Sequence, residues 1–157
     1  MSTDQIWQTA SPDAAATESL GEKIGRNCKG GEIFELVGDL GAGKTTFVRG
    51  LARGLDSLDD VSSPSFTINN VYRTNSRLML QHFDFYRLAE AGIVADELNE
   101  VIHDPINVVA VEWGDIVHDV LPTNRLIVEF KNGSDEERLI SIRFTGSTKH
   151  ALKDLLK

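Results

Sequence analysis

Gly38, Gly43, Lys44 and Thr45, in the stretch GDLGAGKT, have the types and spacing of a phosphate-holding loop, G-x-x-x-x-G-K-[ST]. Glycines let the backbone curl so that successive N–H groups point inward and form an anion nest at a helix N-terminus. A lysine at the seventh place supplies a point charge to the outer phosphates, and the hydroxyl that follows it can ligate Mg²⁺. The residues expected to line a bound nucleotide are therefore Gly41, Ala42, Gly43, Lys44, Thr45 and Thr46. ATP or GTP binding follows from this motif, whereas hydrolysis needs more groups.

Phosphoryl chemistry at such a loop requires a carboxylate at the end of a neighbouring strand, to hold Mg²⁺ or to orient the attacking water. Two positions compete. Glu112 follows the apolar run VVAV, and Asp84 ends the less regular run MLQHFD. Either can sit beside the loop, because ligands in open α/β sheets bind at the carboxyl ends of the strands. Candidate catalytic residues are thus Lys44, Asp84 and Glu112, and candidate metal ligands are Thr45, Glu112 and Asp84. The hydroxyl-rich VSSPSFTI, residues 61–68, reads by itself as an ordinary Ser-rich turn, with nucleotide-dependent ordering as the alternative. His82 reads as a satisfied structural histidine and Arg87 as a partner in a salt bridge. Trp113 belongs either to the core or to a contact surface.

The elements that position these groups follow from periodicity and punctuation. A helix is expected from the Ser11-Pro12 start, a strand over 31–37 stopping at Gly38, and a helix over 44–55. Two strands joined by Thr74-Asn75-Ser76 form a plausible hairpin, and a short helix over 95–104 ends before Pro105. Residues 106–113 read as a buried central strand, and 114–121 as a short helix stopped by Pro122. Residues 125–130 and 138–144 are strands, with Asn132-Gly133 signalling a tight hairpin turn between them. An amphipathic helix over 147–157 is expected to close the chain. Helices alternating with strands, then hairpins, predict an α/β fold: a P-loop NTPase-like three-layer sandwich with a mixed parallel and antiparallel sheet. With no linker or repeat, residues 1–157 are expected to form a single domain.

Composition narrows the function classes. Hydrophobic residues make up 41% and charged residues 25%, ordinary values for a globular protein. The formal net charge is −8, which disfavours extensive direct gripping of nucleic acid by its phosphates. One cysteine, Cys28, leaves no disulfide framework. No basic segment followed by an apolar run opens the chain, so no secretory signal or membrane span is expected, and a cytoplasmic location fits.

Four segments, GDLGAGKTT, SSPSFT, HFDFYRL and VEWGD, occur in an order and at intervals that resemble the TsaE (YjeE-type) family. These are small bacterial ATPases of tRNA threonylcarbamoyladenosine (t⁶A) biosynthesis. The resemblance is firm over residues 20–114 and looser over the C-terminal hairpin. It implies ATP/ADP and Mg²⁺ at residues 41–46, with metal and hydrolysis roles for Thr45, Asp84 and Glu112 and a functional role for Trp113. It also implies a first switch at residues 63–67 and a second beginning at HFDFYRL. The family pattern Ser-Pro-Thr is replaced here by Ser63-Pro64-Ser65, which keeps a hydroxyl. After Leu88 the pattern is matched only in outline. As implied partners, a TsaB–TsaD heterodimer is reset between turnovers by ATP hydrolysis, and tRNA is engaged only through that pair.

Two other classes share the loop. A small-molecule or nucleotide kinase usually adds an arginine-bearing lid, and no arginine-rich segment occurs here. A guanine-specific switch generally carries Asn-Lys-x-Asp late in the chain, and that tetrad is absent. A nucleotide-dependent switch protein without meaningful turnover is the remaining alternative.

Overall fold

The computed structural model describes residues 4–39, 41–62 and 68–156. The chain runs β1 (Gln5–Ser11), α1 (Ala14–Gly25), β2 (Ile33–Val37), α2 (Lys44–Gly54), β3 (Asn69–Arg73) and β4 (Met79–Asp84). It continues through α3 (Ile93–Ile102), β5 (Asn107–Glu112), β6 (Leu126–Asn132) and β7 (Arg138–Phe144). Seven strands make one sheet in the order β1-β7-β6-β2-β5-β4-β3. The middle four, β6, β2, β5 and β4, are parallel; β7 on one side and β3 on the other run against them, and β1, antiparallel to β7, again shares their direction. The mixed sheet expected from the alternation of elements is the one observed.

Side-chain alternation along the parallel strands sorts the core onto two faces. Phe34 and Leu36 of β2, Val108 and Ala110 of β5 and Val128 of β6 face the layer holding Leu20, Ile24, Phe47 and Leu51 of α1 and α2. Ile33, Phe83, Val109 and Val111 face the opposite layer, with Leu98 of α3, Val117 and Leu121. Every residue of β5 is buried, as a central strand covered on both faces requires. Helices α1 and α2 cross at unusually close range on glycines: a Cβ at Gly50 would lie 2.1 Å from the Glu18 carbonyl oxygen, and one at Gly21 2.4 Å from that of Phe47. Among the described residues no helix is long and apolar enough to cross a membrane.

Several expectations are corrected. β1 was not anticipated. Its inward positions are Trp7, Thr9 and Ser11, while Ile6 points outward, so the strand lacks an apolar alternation that faces the core. Ser11 ends β1, and the cap of α1 is Asp13, whose Oδ1 accepts the Ala16 N–H at 2.9 Å. Asn132 lies in the ladder opposite Arg138, so the turn is the longer loop 133–137, with Asp135 in left-handed geometry and the Gly133 N–H donating to the Glu137 carbonyl. The helix expected over 114–121 is a short 3-10 turn at Gly114–Val117.

At the C-terminus the amphipathic helix is replaced by a 3-10 turn at Lys149–Leu152. There the Thr148 hydroxyl accepts the Thr145 N–H at 3.0 Å, and Thr145 and Ser147 hydroxyls lie 2.8 Å apart. Such local side-chain bonds compete with helical hydrogen bonding. His150 meets the buried Glu32 at 2.7 Å, and Ala151 and Leu152 fill the α1 side of the core. Arg87 is exposed and makes no ion pair among the described residues, contrary to the expected salt bridge.

Candidate functional site

β2 ends at Val37 and α2 begins at Lys44, so the Gly-rich loop bridges the carboxyl end of a central strand and a helix N-terminus. Gly41 (φ 76°) and Gly43 (φ 103°) hold left-handed backbone that an L side chain rarely adopts. These two positions are what allow the loop to curl over the first turn of α2.

A cavity of about 370 Å³ opens there. Its floor is the loop and α2, through Gly41, Gly43, Lys44, Thr45 and Thr46, and its far wall is Asp84, Glu112 and Trp113. Gly38 lies outside this cavity, and of the residues expected to line a bound nucleotide only Ala42 fails to reach it. That side chain is buried in the core, and its N–H donates to the Asp39 carbonyl at 3.1 Å. The two competing carboxylates are both present, because β4 and β5 are parallel neighbours that end together. The switch expected at residues 63–67 lies outside the described residues.

Lys44 is the electrostatic centre. Its Nζ donates to the Gly38 carbonyl at 2.5 Å and sits 4.0 Å from the centroid of the Trp113 ring, a cation–π contact. Burial pushes its ammonium below the usual lysine range, opposed by the charges of Glu112, Asp84 and Asp39. Asp84 moves the other way. Burial raises its carboxyl above the ordinary value and the neighbouring Glu112 adds to this, while the Tyr86 N–H, His82 and Lys44 pull it back. The Tyr86 N–H donates to Asp84 Oδ1 at 3.0 Å.

Trp113 is held in left-handed backbone geometry (φ 58°), a costly conformation for a bulky residue. Its ring packs against Tyr86, with centroids 5.0 Å apart. Below it, Arg125 Nε donates to the buried Glu35 at 2.7 Å, and a Cβ at Gly114 would come within 3.2 Å of that carboxylate. Both readings of Trp113, core or contact surface, keep support: its ring packs against the core cluster of β5 and α3 and also lines the cavity. It is half-buried against Lys44 at the cavity wall.

Some wall residues escaped the sequence reading. Ala14 and Thr17 of α1, and Glu136 and Arg138 of the β6–β7 hairpin, also line the cavity. Arg138 Nη2 donates to the Gly41 carbonyl at 3.1 Å, and its Nη1 to the carbonyls of Asp135 and Glu137. No motif marks them. Their arrival depends on the loop length of a hairpin nearly a hundred residues further along the chain.

His82 departs from its expected role as a satisfied structural residue. It is fully buried on β4, and its Nε2 lies 2.5 Å from Glu112 Oε2. Its Nδ1 has no hydrogen-bond partner among the described residues.

The donor set fits a magnesium nucleotide. No group of three or more His, Cys, Asp or Glu among the described residues is arranged to hold a metal by itself. Mg²⁺ needs no such cage when phosphates supply most ligands and the protein adds one or two oxygens. Thr45, Asp84 and Glu112 line the same cavity as the loop and carry oxygens of that kind.

The family described as "Threonylcarbamoyl adenosine biosynthesis protein TsaE" matches residues 11–140. A Bacillus subtilis protein named tRNA threonylcarbamoyladenosine biosynthesis protein TsaE is 36% identical over 141 residues, covering 90% of this chain and 86% of that one. A Treponema pallidum protein of the same name is 36% identical over 132 residues, covering 84% and 96%. In three dimensions the chain is similar to the crystal structure of Bacillus subtilis YdiB, with a TM-score of 0.75 at 31% identity over 99% of this chain and 96% of that one.

Proposed function

The chain belongs to the TsaE family, and from that premise we propose that it is a Mg²⁺-dependent ATPase serving tRNA threonylcarbamoyladenosine formation. The observation that carries this reading is the convergence of Lys44, Asp84 and Glu112 on one cavity at the N-terminus of α2. Backbone N–H groups of Gly41 and of residues 43–46 bind the phosphates there. Lys44 exchanges the Gly38 carbonyl for an outer phosphate oxygen, bringing its charge to the place where negative charge builds up.

Thr45, through its hydroxyl, and the carboxylates of Asp84 and Glu112 are the residues that would hold Mg²⁺. Bound Mg²⁺ supplies Lewis-acid charge to the phosphate oxygens. Glu112, with one oxygen engaged by His82, keeps the other for orienting the attacking water and accepting its proton. Trp113 shields Lys44 from solvent and links its position to Tyr86.

Residues 1–157 act as a single ATPase unit in the cytoplasm, slow in isolation. A TsaB–TsaD-like heterodimer reads the nucleotide state at the face where Tyr86 packs on Trp113. Segments that a γ-phosphate orders and hydrolysis releases are a recurrent means of coupling nucleotide to a partner. The net charge of −8 supports leaving tRNA to the partners.

Reconstitution tests the reading: the heterodimer, tRNA, threonylcarbamoyl-adenylate and ATP, with and without this protein. Repeated rounds of modified-adenosine formation are expected with the wild type and lost with Lys44→Ala. Equally fast turnover without the protein overturns the proposal.

A further inference from the structure

We infer that His82 is a positioning residue for Glu112, holding one carboxylate oxygen from beneath so that the other faces the cavity. The inference deepens the proposed ATPase reading and rests on it.

The geometry is specific. β4 and β5 are parallel neighbours, with His82 opposite Ala110 and Asp84 opposite Glu112. His82 therefore lies one pleat below the two carboxylates, on the same face of the sheet. From there its ring reaches Glu112 Oε2 at 2.5 Å while remaining fully buried.

The proton can be assigned from the surroundings. Nδ1 has no acceptor among the described residues, and a buried N–H left unpaired is costly. A bare Nδ1 lone pair costs less, so the tautomer in place carries its proton on Nε2, aimed at Glu112. The imidazole acts as a fixed N–H donor. A residue serving only to fill the core here needs no nitrogen, since its neighbours on that face, Leu80 and Ala110, are apolar.

The consequence for chemistry is orientation. Glu112 stands at the end of a strand, with a flexible side chain and several rotamers. One strong bond to a buried donor selects the rotamer that presents Oε1 to the phosphate nest. Outer partners that orient a functional carboxylate commonly matter by about 10–100-fold in activity.

The test compares His82→Leu, His82→Gln and His82→Asn for Mg·ATP hydrolysis, alone and on a Glu112→Gln background. Gln places its amide N–H where Nε2 stands, and Asn falls short of it. Leu is expected to lower kcat by about tenfold or more with KM within about twofold, and Gln to recover most of the loss. On the Glu112→Gln background Leu should add little, because the group being positioned has been neutralised. Wild-type kcat in His82→Leu overturns the inference, as does an equal loss on both backgrounds. If Leu fails to fold, Gln against Asn decides: equal kcat overturns positioning, and a gap of about tenfold supports it. The two readings remain separable. Wild-type hydrolysis by Glu112→Gln sinks the site assignment, whereas loss there without loss in His82→Leu sinks only the positioning role.

Discussion

Asp84 and Glu112 are register partners at the carboxyl ends of adjacent parallel strands, so two acids and Lys44 share one corner of the cavity. Asp84 carries the strain of that arrangement: burial, then the charge of Glu112, raises its carboxyl above the ordinary value of 3.8. A carboxyl raised in the fold costs stability when ionised, and that cost disappears once it is protonated. Asp84→Asn is therefore expected to melt higher than wild type at neutral pH while losing hydrolysis. The gap should close as pH falls through the raised value toward 3.8. Thermal melts of both proteins across this range, in the absence of nucleotide, check the sign. A variant that melts lower at neutral pH contradicts it.

Lys44→Ala is expected to abolish most nucleotide binding. Mg·ATP at 100 times its dissociation constant should stabilise the wild type by about 2.7 kcal/mol through mass action. A thermal-shift titration of both proteins reads this directly, and a wild-type melt unmoved by millimolar ATP contradicts it.

Glu112→Ala should separate binding from chemistry. Its thermal shift with Mg·ATP is expected to persist while hydrolysis drops by about 100-fold or more. Single-turnover assays at saturating ATP give the rate. A wild-type rate would move the role to Asp84.

Arg138→Ala tests the hairpin wall. Its guanidinium ties the Gly41 carbonyl to the carbonyls of Asp135 and Glu137. Losing a charge-assisted bond of about 1.5–3 kcal/mol from the loop should weaken nucleotide binding by about tenfold or more. Isothermal titration with Mg·ADP checks it, and an unchanged affinity would make Arg138 a bystander.

Gly50→Ala sets two effects against each other. Alanine gains about 1 kcal/mol of helix propensity, but overpacking typically costs about 1–3 kcal/mol. Here the new Cβ meets the Glu18 carbonyl at 2.1 Å, backbone that cannot rotate away, so the steric cost should win. Gly146→Ala, with nothing within 4 Å, is the control expected to be near neutral. Urea denaturation of both variants measures the difference.

How much of this was legible in the sequence depended on whether a feature is local. The phosphate loop was, because the curl and the lysine need fixed residue types at fixed spacing. The three-layer α/β architecture was, because β5 is apolar at consecutive positions and helices alternate with strands around it. The pairing of His82 with Glu112 was not, since it exists only once β4 and β5 are set in register. Arg138 was invisible for the same reason, as its place depends on the length of the 133–137 loop. β1 was hidden by Ile6, the wrong residue on the outer face, and by a partner strand at the opposite end of the chain. The C-terminal helix was over-read because amphipathic spacing was weighed without the Thr145–Thr148 hydroxyls and the pull of Glu32 on His150.

The pairing of β1 with β7 bears on the order in which the protein comes into being. Gln5 is opposite Phe144 and Ser11 opposite Arg138, so β1 leaves the ribosome long before the strand it pairs with. Contacts this far apart close slowly and late. A growing chain thus holds the phosphate loop well before it holds the arginine that braces Gly41, and Trp7 has no sheet to join in the interval. Whatever the cavity binds gains the hairpin side of its wall only after residues 136–138 have been made.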